Sequence, residues 1–514
     1  MLPGNKPVRR TRRTVTGWSA TLLASVVLAT LTGSPGTAGA ATAPRPTPGI
    51  NWQPCAADAT AQCGTLAVPI DWSHPNGPTF DLALARRTAT DPAARVGALF
   101  FGPGGPGDSG VSRVANPNNF RRFSPELHRR FDIVSFDPRG VGASSPVRCS
   151  TELLNQRPTP VLTSQADFDR TVLYNRRLWQ DCRERTGPVF DHVDTVSMAR
   201  DLDAVRAALG ETRLTYHGSS YGTLLGEQYA ELFPHRVRAM VLESVVDHSL
   251  DTRDFLNTQT TAAQDSFDAF VAWCGRTESC PLYGQDVRAV WADLMDRAGR
   301  GEVPDPKDPS ATLTPYALSG FLAPRALYNP DYAGLAGMIS TLSAQARGGT
   351  VAARVADPIP TAPGAQTSSN YLAIFCQDWH LPIRDYREYA ARLREMARIA
   401  PDLPYPQALA VVESCLGSPL VDNPQHRLKI HSEQPLLLLN AVHDPATGYN
   451  WATNVARQLG RHGVLLSYEG SGHGVYTATS CTRDTVDAYL IRLAVPAHGT
   501  RCPAAEPAPT ASAG

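Results

Sequence analysis

The chain carries no surplus of either charge: 48 Lys and Arg stand against 48 Asp and Glu over 514 residues. That balance leaves no electrostatic footprint for nucleic acid or an anionic membrane surface. The ten cysteines contain no C-x-x-C pair, so the usual zinc-ribbon spacing is missing. No internal repeat is present, and 43 prolines with 40 glycines argue against a coiled coil or solenoid. Beyond the first 31 residues no stretch is apolar enough to span a bilayer. What is present is an apolar fraction of 42% with 8% aromatics, the composition of a globular chain long enough for two or three domains.

The N-terminus reads as an address. Lys6, Arg9, Arg10, Arg12 and Arg13 precede an uncharged, mostly apolar run from Trp18 to Leu31, and Ala38-Gly39-Ala40 fits an A-x-A cleavage site. This is the layout of a secretory signal peptide, and the expected location is extracellular. An even number of cysteines in an exported chain implies disulfides. Pairing sequence neighbours is the simplest arrangement: Cys55–Cys63, Cys149–Cys182, Cys274–Cys280, Cys376–Cys415 and Cys481–Cys502. Spacing alone leaves roughly 900 connectivities open.

From Val96 short apolar runs alternate with helical periodicity. Val96–Phe101, Asp132–Phe136, Leu214–His217, Ala239–Glu243, Pro435–Leu439 and Val464–Tyr468 are aliphatic or β-branched and bounded by Gly, Pro, Asp or Asn, as buried parallel strands are. Val196–Leu209 places apolar residues 198, 202, 205 and 209 on one helical face, before Gly210 as a cap. The alternation predicts an α/β fold with a mostly parallel central sheet and helices on both faces. Residues 251–425 break the rhythm. Thr260–Cys274, Asp286–Ala298, Asp331–Ala346 and Asp385–Ile399 read as helices, joined by linkers at Gly301–Pro315 and Asp357–Gln366. An inserted, mainly helical lid domain is expected there. The expected organisation is a signal peptide (1–40), a short leader (41–49), the first part of the core (50–250), the lid (251–425), the second part of the core (426–502) and a disordered tail (503–514).

Gly218-Ser219-Ser220-Tyr221-Gly222 is a G-x-S-x-G between a strand and the helix-like Thr223–Phe233. Glycines permit the tight turn, and the turn exposes the Ser220 hydroxyl as a nucleophile. A serine hydroxyl needs a base, and the base an orienting acid. Among thirteen histidines, His74, His128, His235 and His498 sit in ordinary solvated contexts, whereas His473 lies in a glycine loop after a strand. Asp444 likewise follows a strand, in His443-Asp444-Pro445. The order Ser220, Asp444, His473 is that of the α/β-hydrolase fold. Gly102-Pro103-Gly104-Gly105-Pro106-Gly107 follows the strand ending at Phe101. The expected oxyanion donors are the N–H groups of Gly105 and Tyr221. No Gly-Lys-Ser/Thr follows this loop, and two prolines remove donors, which disfavours phosphate binding.

Together with Asp137-Pro138-Arg139-Gly140, Asp201-Leu202-Asp203, Gly472-His473-Gly474 and Cys481…Cys502, these motifs make residues 50–502 resemble the proline-iminopeptidase-like α/β-hydrolases, in the branch of secreted actinobacterial tripeptidyl aminopeptidases. The resemblance implies a serine peptidase with Ser220, Asp444 and His473 as its triad, a helical lid, and release of short peptides from free N-termini. The chain departs from the family pattern in four places. Gly102 stands where Asn is expected and Asp108 where Gly is common. Pro445-Ala446-Thr447-Gly448 follows Asp444, and Glu243-Ser244 replaces Asp-Gly. Glu243 and Asp378 are candidates to bind the substrate ammonium, which needs a carboxylate in a partly dry pocket. Tyr221 and Trp379 are candidate apolar lining. Peptides or proteins with free N-termini are the expected partners, with no nucleic acid, no membrane after signal cleavage, no metal or cofactor, and a monomeric state. An esterase or amidase on small molecules would use the same triad.

Overall fold

The computed structural model describes residues 49–120, 122–348, 366–419 and 421–506. The expected signal peptide, residues 41–48 of the leader and residues 507–514 of the tail lie outside them, as does most of the Asp357–Gln366 linker.

Among the described residues ten strands form the central sheet: β1 (Gln53–Pro54), β2 (Gln62–Pro69), β3 (Thr79–Arg87), β4 (Gly97–Gly102), β5 (Phe131–Phe136), β6 (Leu214–Ser219), β7 (Val237–Glu243), β8 (Leu436–His443), β9 (Gly463–Ser471) and β10 (Arg501–Cys502). Their spatial order is 1-2-3-5-4-6-7-8-9-10. The pairings from β1 through β3 to β5 are antiparallel, and those from β5 onward are parallel. The parallel strands are buried on both sides, which is why they read as unbroken apolar runs; every residue of β4 is buried. In β8, Leu436 and Leu438 enter one core while Leu437 and Leu439 enter the other, as a two-residue period requires.

The expected helix over Val196–Leu209 forms at Thr195–Ala208, where Asp194 accepts from the Ser197 N–H as an N-cap. It packs with the helix Tyr221–Leu232 on one face of the sheet. The 22-residue helix Gln165–Thr186 has no counterpart among the sequence expectations. Its buried residues, Phe168, Thr171, Tyr174, Leu178 and Cys182, form a stripe one residue wide in an Arg- and Asp-rich segment. So narrow a stripe gives a weak apolar period.

Between β7 and β8 lies the helical insertion. Thr252–Arg276, Val287–Gly299 and Tyr332–Gly348 share a core of Phe267, Phe270, Trp273, Trp291, Leu335 and Ile339. The later helices, Tyr371–Asp378 and Gln407–Ser414, instead bury Phe375, Leu409 and Val412 in the main core. The Gly301–Pro315 linker contains a small antiparallel ribbon, Pro304–Asp305 with Asp308–Thr312. All five neighbour disulfides form. His128 is half-buried and not a freely solvated residue: its ring centroid lies 4.1 Å from that of Phe120, and burial lowers its pKa. The start of the tail is held, with the Ala505 N–H donating to the Tyr468 hydroxyl at 3.0 Å.

Candidate active site

Ser220 sits between β6 and the helix Tyr221–Leu232 with φ 57° and ψ −125°. For a non-glycine residue this is strained backbone of the kind found at functional sites, worth about 1–3 kcal/mol. Serine is a good N-cap, yet Ser220 makes no capping hydrogen bond, so its hydroxyl is not consumed by the helix. The two motif glycines are steric requirements. A Cβ on Gly218 would lie 2.3 Å from the Gly222 carbonyl oxygen, and one on Gly222 would lie 2.2 Å from that of Gly102. Gly102 itself is explained by Tyr216, whose hydroxyl donates to the Gly222 oxygen at 2.6 Å and occupies the space an asparagine side chain would need.

Asp444 and His473 meet as expected. The Nδ1 of His473 lies 3.0 Å from both carboxylate oxygens of Asp444. The carboxylate also accepts the N–H groups of Ala446 and Thr447, at 2.9 and 3.0 Å, and the Thr447 hydroxyl at 3.0 Å. Thr447 also lies 3.3 Å from His473 Nδ1 and was not singled out in the sequence, although a Thr three residues after an Asp is a recurrent turn pattern. The Nε2 of His473 is buried and has no hydrogen-bond partner among the described residues. It is the nitrogen a nucleophile would use.

Gly105, with φ +107°, borders the same cavity as Ser220 and Tyr221. Its loop is held from behind. Asp137 accepts from the Ser109 hydroxyl and from the N–H groups of Val111 and Ala143. Arg139 and Asp201 form a fully buried bidentate pair, with both N–O distances 2.7 Å. The remaining Arg139 donors go to the carbonyls of Pro69, Ile70 and His192. Arg139 of the D-P-R-G motif and Asp201 of the D-L-D motif are therefore one buried cross-link, while Asp203 pairs with Arg206 and Arg236.

Glu243 lies behind the nucleophile. One oxygen pairs with His217 Nε2 at 3.0 Å and the other accepts the Tyr476 N–H. These contacts outweigh burial and lower its pKa. The pairing with His217 had no sequence signal. Ser244, φ 57°, stands where glycine is frequent because the backbone is left-handed there; its hydroxyl accepts the Gly474 N–H at 2.9 Å and so steadies the histidine loop.

Asp378 is fully buried. One oxygen accepts the Thr195 N–H at 2.8 Å and Asn423 Nδ2 at 3.0 Å; the other accepts the Thr195 hydroxyl at 2.6 Å and the Tyr221 hydroxyl at 2.7 Å. Burial pushes its carboxyl up to about 7. The cavity in front of Ser220 is lined by Tyr371, Phe375, Trp379, Phe255 and Trp451, with Tyr328, Gln259 and Gln407 as polar members. Among the described residues no acidic side chain lines it. Glu243 faces a separate small cavity beside Arg122 and Gly474.

Residues 97–476 match the family model of the alpha/beta hydrolase fold. Serine protease Hip1 of Mycobacterium tuberculosis is 34% identical, over 88% of this chain and 91% of its own. Tripeptidyl aminopeptidase of Streptomyces lividans is 31% identical, over 90% and 88%. Carboxylesterase B of Mycobacterium tuberculosis is 32% identical, over 93% and 95%. With a serine on a strained elbow and a histidine–aspartate pair in the order that fold requires, the chain belongs to the α/β-hydrolase fold family and is a serine hydrolase.

Proposed function

We propose that the chain is a secreted serine exopeptidase that releases short peptides, tripeptides foremost, from free N-termini through an acyl-enzyme on Ser220. The observation that carries the chemistry is the elbow geometry of Ser220, φ 57° with an uncapped hydroxyl, following the C-terminal end of a parallel strand as Asp444 and His473, themselves paired, also do. The Ser220 hydroxyl attacks the scissile carbonyl and its proton passes to His473 Nε2. Asp444 holds the imidazole in the tautomer that leaves Nε2 free to accept. The N–H groups of Gly105 and Tyr221 receive the negative charge on the carbonyl oxygen. His473 returns the proton to the leaving amine, and water completes the cycle by the same steps. Two relatives named as peptidases support the choice of peptide substrates. The five disulfides suit an oxidising, extracellular setting.

Ser220→Ala is expected to keep the fold and lose labelling by a fluorophosphonate, with turnover reduced at least a thousandfold. Full activity in that variant removes Ser220 from the mechanism. A second reading, an esterase on small apolar molecules, is favoured by the absence of any carboxylate among the described residues lining the Ser220 cavity. Tripeptidyl anilides with and without a blocked amine, set against short-chain p-nitrophenyl esters, separate the two. A strong gain from the free amine supports the exopeptidase, and equal rates on blocked substrates support the esterase.

A further inference from the structure

The inserted lid reaches the proposed base itself. Tyr328 ends the lid helix Ala323–Tyr328, and its ring centroid lies 4.2 Å from that of His473 with a tilt of 36°. Its backbone carbonyl accepts the His473 N–H at 2.9 Å. Pro330, two residues on, fills the space where a Cβ on Gly472 would sit, 2.8 Å away. The absence of a side chain at Gly472, whose φ is +112°, is what lets the lid come this close. The Tyr328 side chain lines the same cavity as Ser220. Burial and the Asp444 and Asp108 carboxylates raise the phenol above its ordinary pKa, so the ring is neutral through the neutral pH range.

We propose that Tyr328 is a further catalytic residue, whose ring face stabilises the imidazolium that forms when His473 accepts the Ser220 proton. The proposal rests on the triad reading above, not on whether peptides or esters are the substrate. In that step the Ser220 oxygen gives its electron pair to the carbonyl carbon and its proton goes to Nε2. Asp444 stays ionised at Nδ1, and Tyr328 exchanges no proton. A neutral imidazole gains little from an aromatic face. The imidazolium is attracted by the negative face of the ring, and the attraction is strong because His473 is only 6% exposed. An interaction that grows only as charge develops lowers the barrier without tightening substrate binding, so it falls on kcat and not on KM.

The test is a ring series at position 328, assayed by kcat and KM on a short-chain p-nitrophenyl ester. Tyr328→Phe keeps the ring face and is expected to retain kcat within about threefold, whereas Tyr328→Leu loses about tenfold. Phenylalanine carrying one, two and three ring fluorines, installed at the same position, weakens the negative face stepwise without changing its shape. Expected is a stepwise fall in kcat to about a tenth with KM unchanged. The fluorinated series stands even if the leucine variant does not fold. A flat series, or an effect confined to KM, overturns the role of Tyr328. Loss of activity in Ser220→Ala alongside a flat series leaves the triad intact and discards only this proposal.

Discussion

Asp378 offers a stability test whose sign follows from its contacts. The carboxyl is fully buried and accepts four donors, two N–H groups on one oxygen and two hydroxyls on the other. Hydroxyls can accept as well as donate. A protonated Asp378 therefore fits the same shell, with its O–H directed to Tyr221 or Thr195. Burial disfavours the ionised form, and the carboxyl rises from an ordinary 3.8 to about 7. Between these values the native chain holds a proton that the unfolded chain releases, so stability falls as pH rises from about 4 to about 7. At 1.36 kcal/mol per pH unit the fall from this one group is about 4 kcal/mol. Below that window both states are protonated, and above it both are ionised. Asp378→Asn places its carbonyl against the two N–H donors and its amide against the two hydroxyls, and it cannot ionise. Equilibrium urea unfolding at pH 4.5 to 8, disulfides intact, should show the wild type losing about 3–4 kcal/mol relative to Asp378→Asn across the range. Parallel curves for the two proteins would refute the reasoning.

Arg139→Met leaves Asp201 buried with only Trp72 Nε1, at 2.9 Å, as a side-chain donor. It should cost about 3–5 kcal/mol in chemical unfolding; a loss under about 1 kcal/mol would mean that water reaches the pair. Replacing Cys376 and Cys415 together by serine opens a loop with a sequence separation of 39 and should destabilise by about 4 kcal/mol on the chain-entropy account. That cross-link joins two helices lining the Ser220 cavity, so calorimetry of the double variant should show a lower unfolding temperature, and an unchanged one counts against the loop-closure argument.

Much of the scaffold is legible in the sequence. The runs from Val96 to Phe101 and from Pro435 to Leu439 are strands within a few residues of their expected bounds because buried parallel strands need unbroken apolar runs. The elbow was legible because G-x-S-x-G encodes a backbone clash that only glycine avoids. Less was legible in the lid. Tyr371–Asp378 and Gln407–Ser414 are eight residues each, too short to display a helical period, and they take their helical state from packing into the main core. Asp378 and Glu243 were expected as carboxylates for a substrate amine; both are buried, and neither is among the described residues lining the Ser220 cavity. Their partners, Thr195, Tyr221 and Asn423 for one and His217 for the other, come from distant segments with no shared pattern.

By itself the sequence determined the local backbone: which runs are strands, where the chain must turn tightly, and the order in which serine, aspartate and histidine occur. These follow from sterics and periodicity within a few residues. Only the tertiary structure decided which charges neutralise one another and what covers the histidine. Tyr328 and His473 are separated by more than half of the lid and by two sheet strands. Contact between them depends on how those elements pack and not on any rule read along the chain.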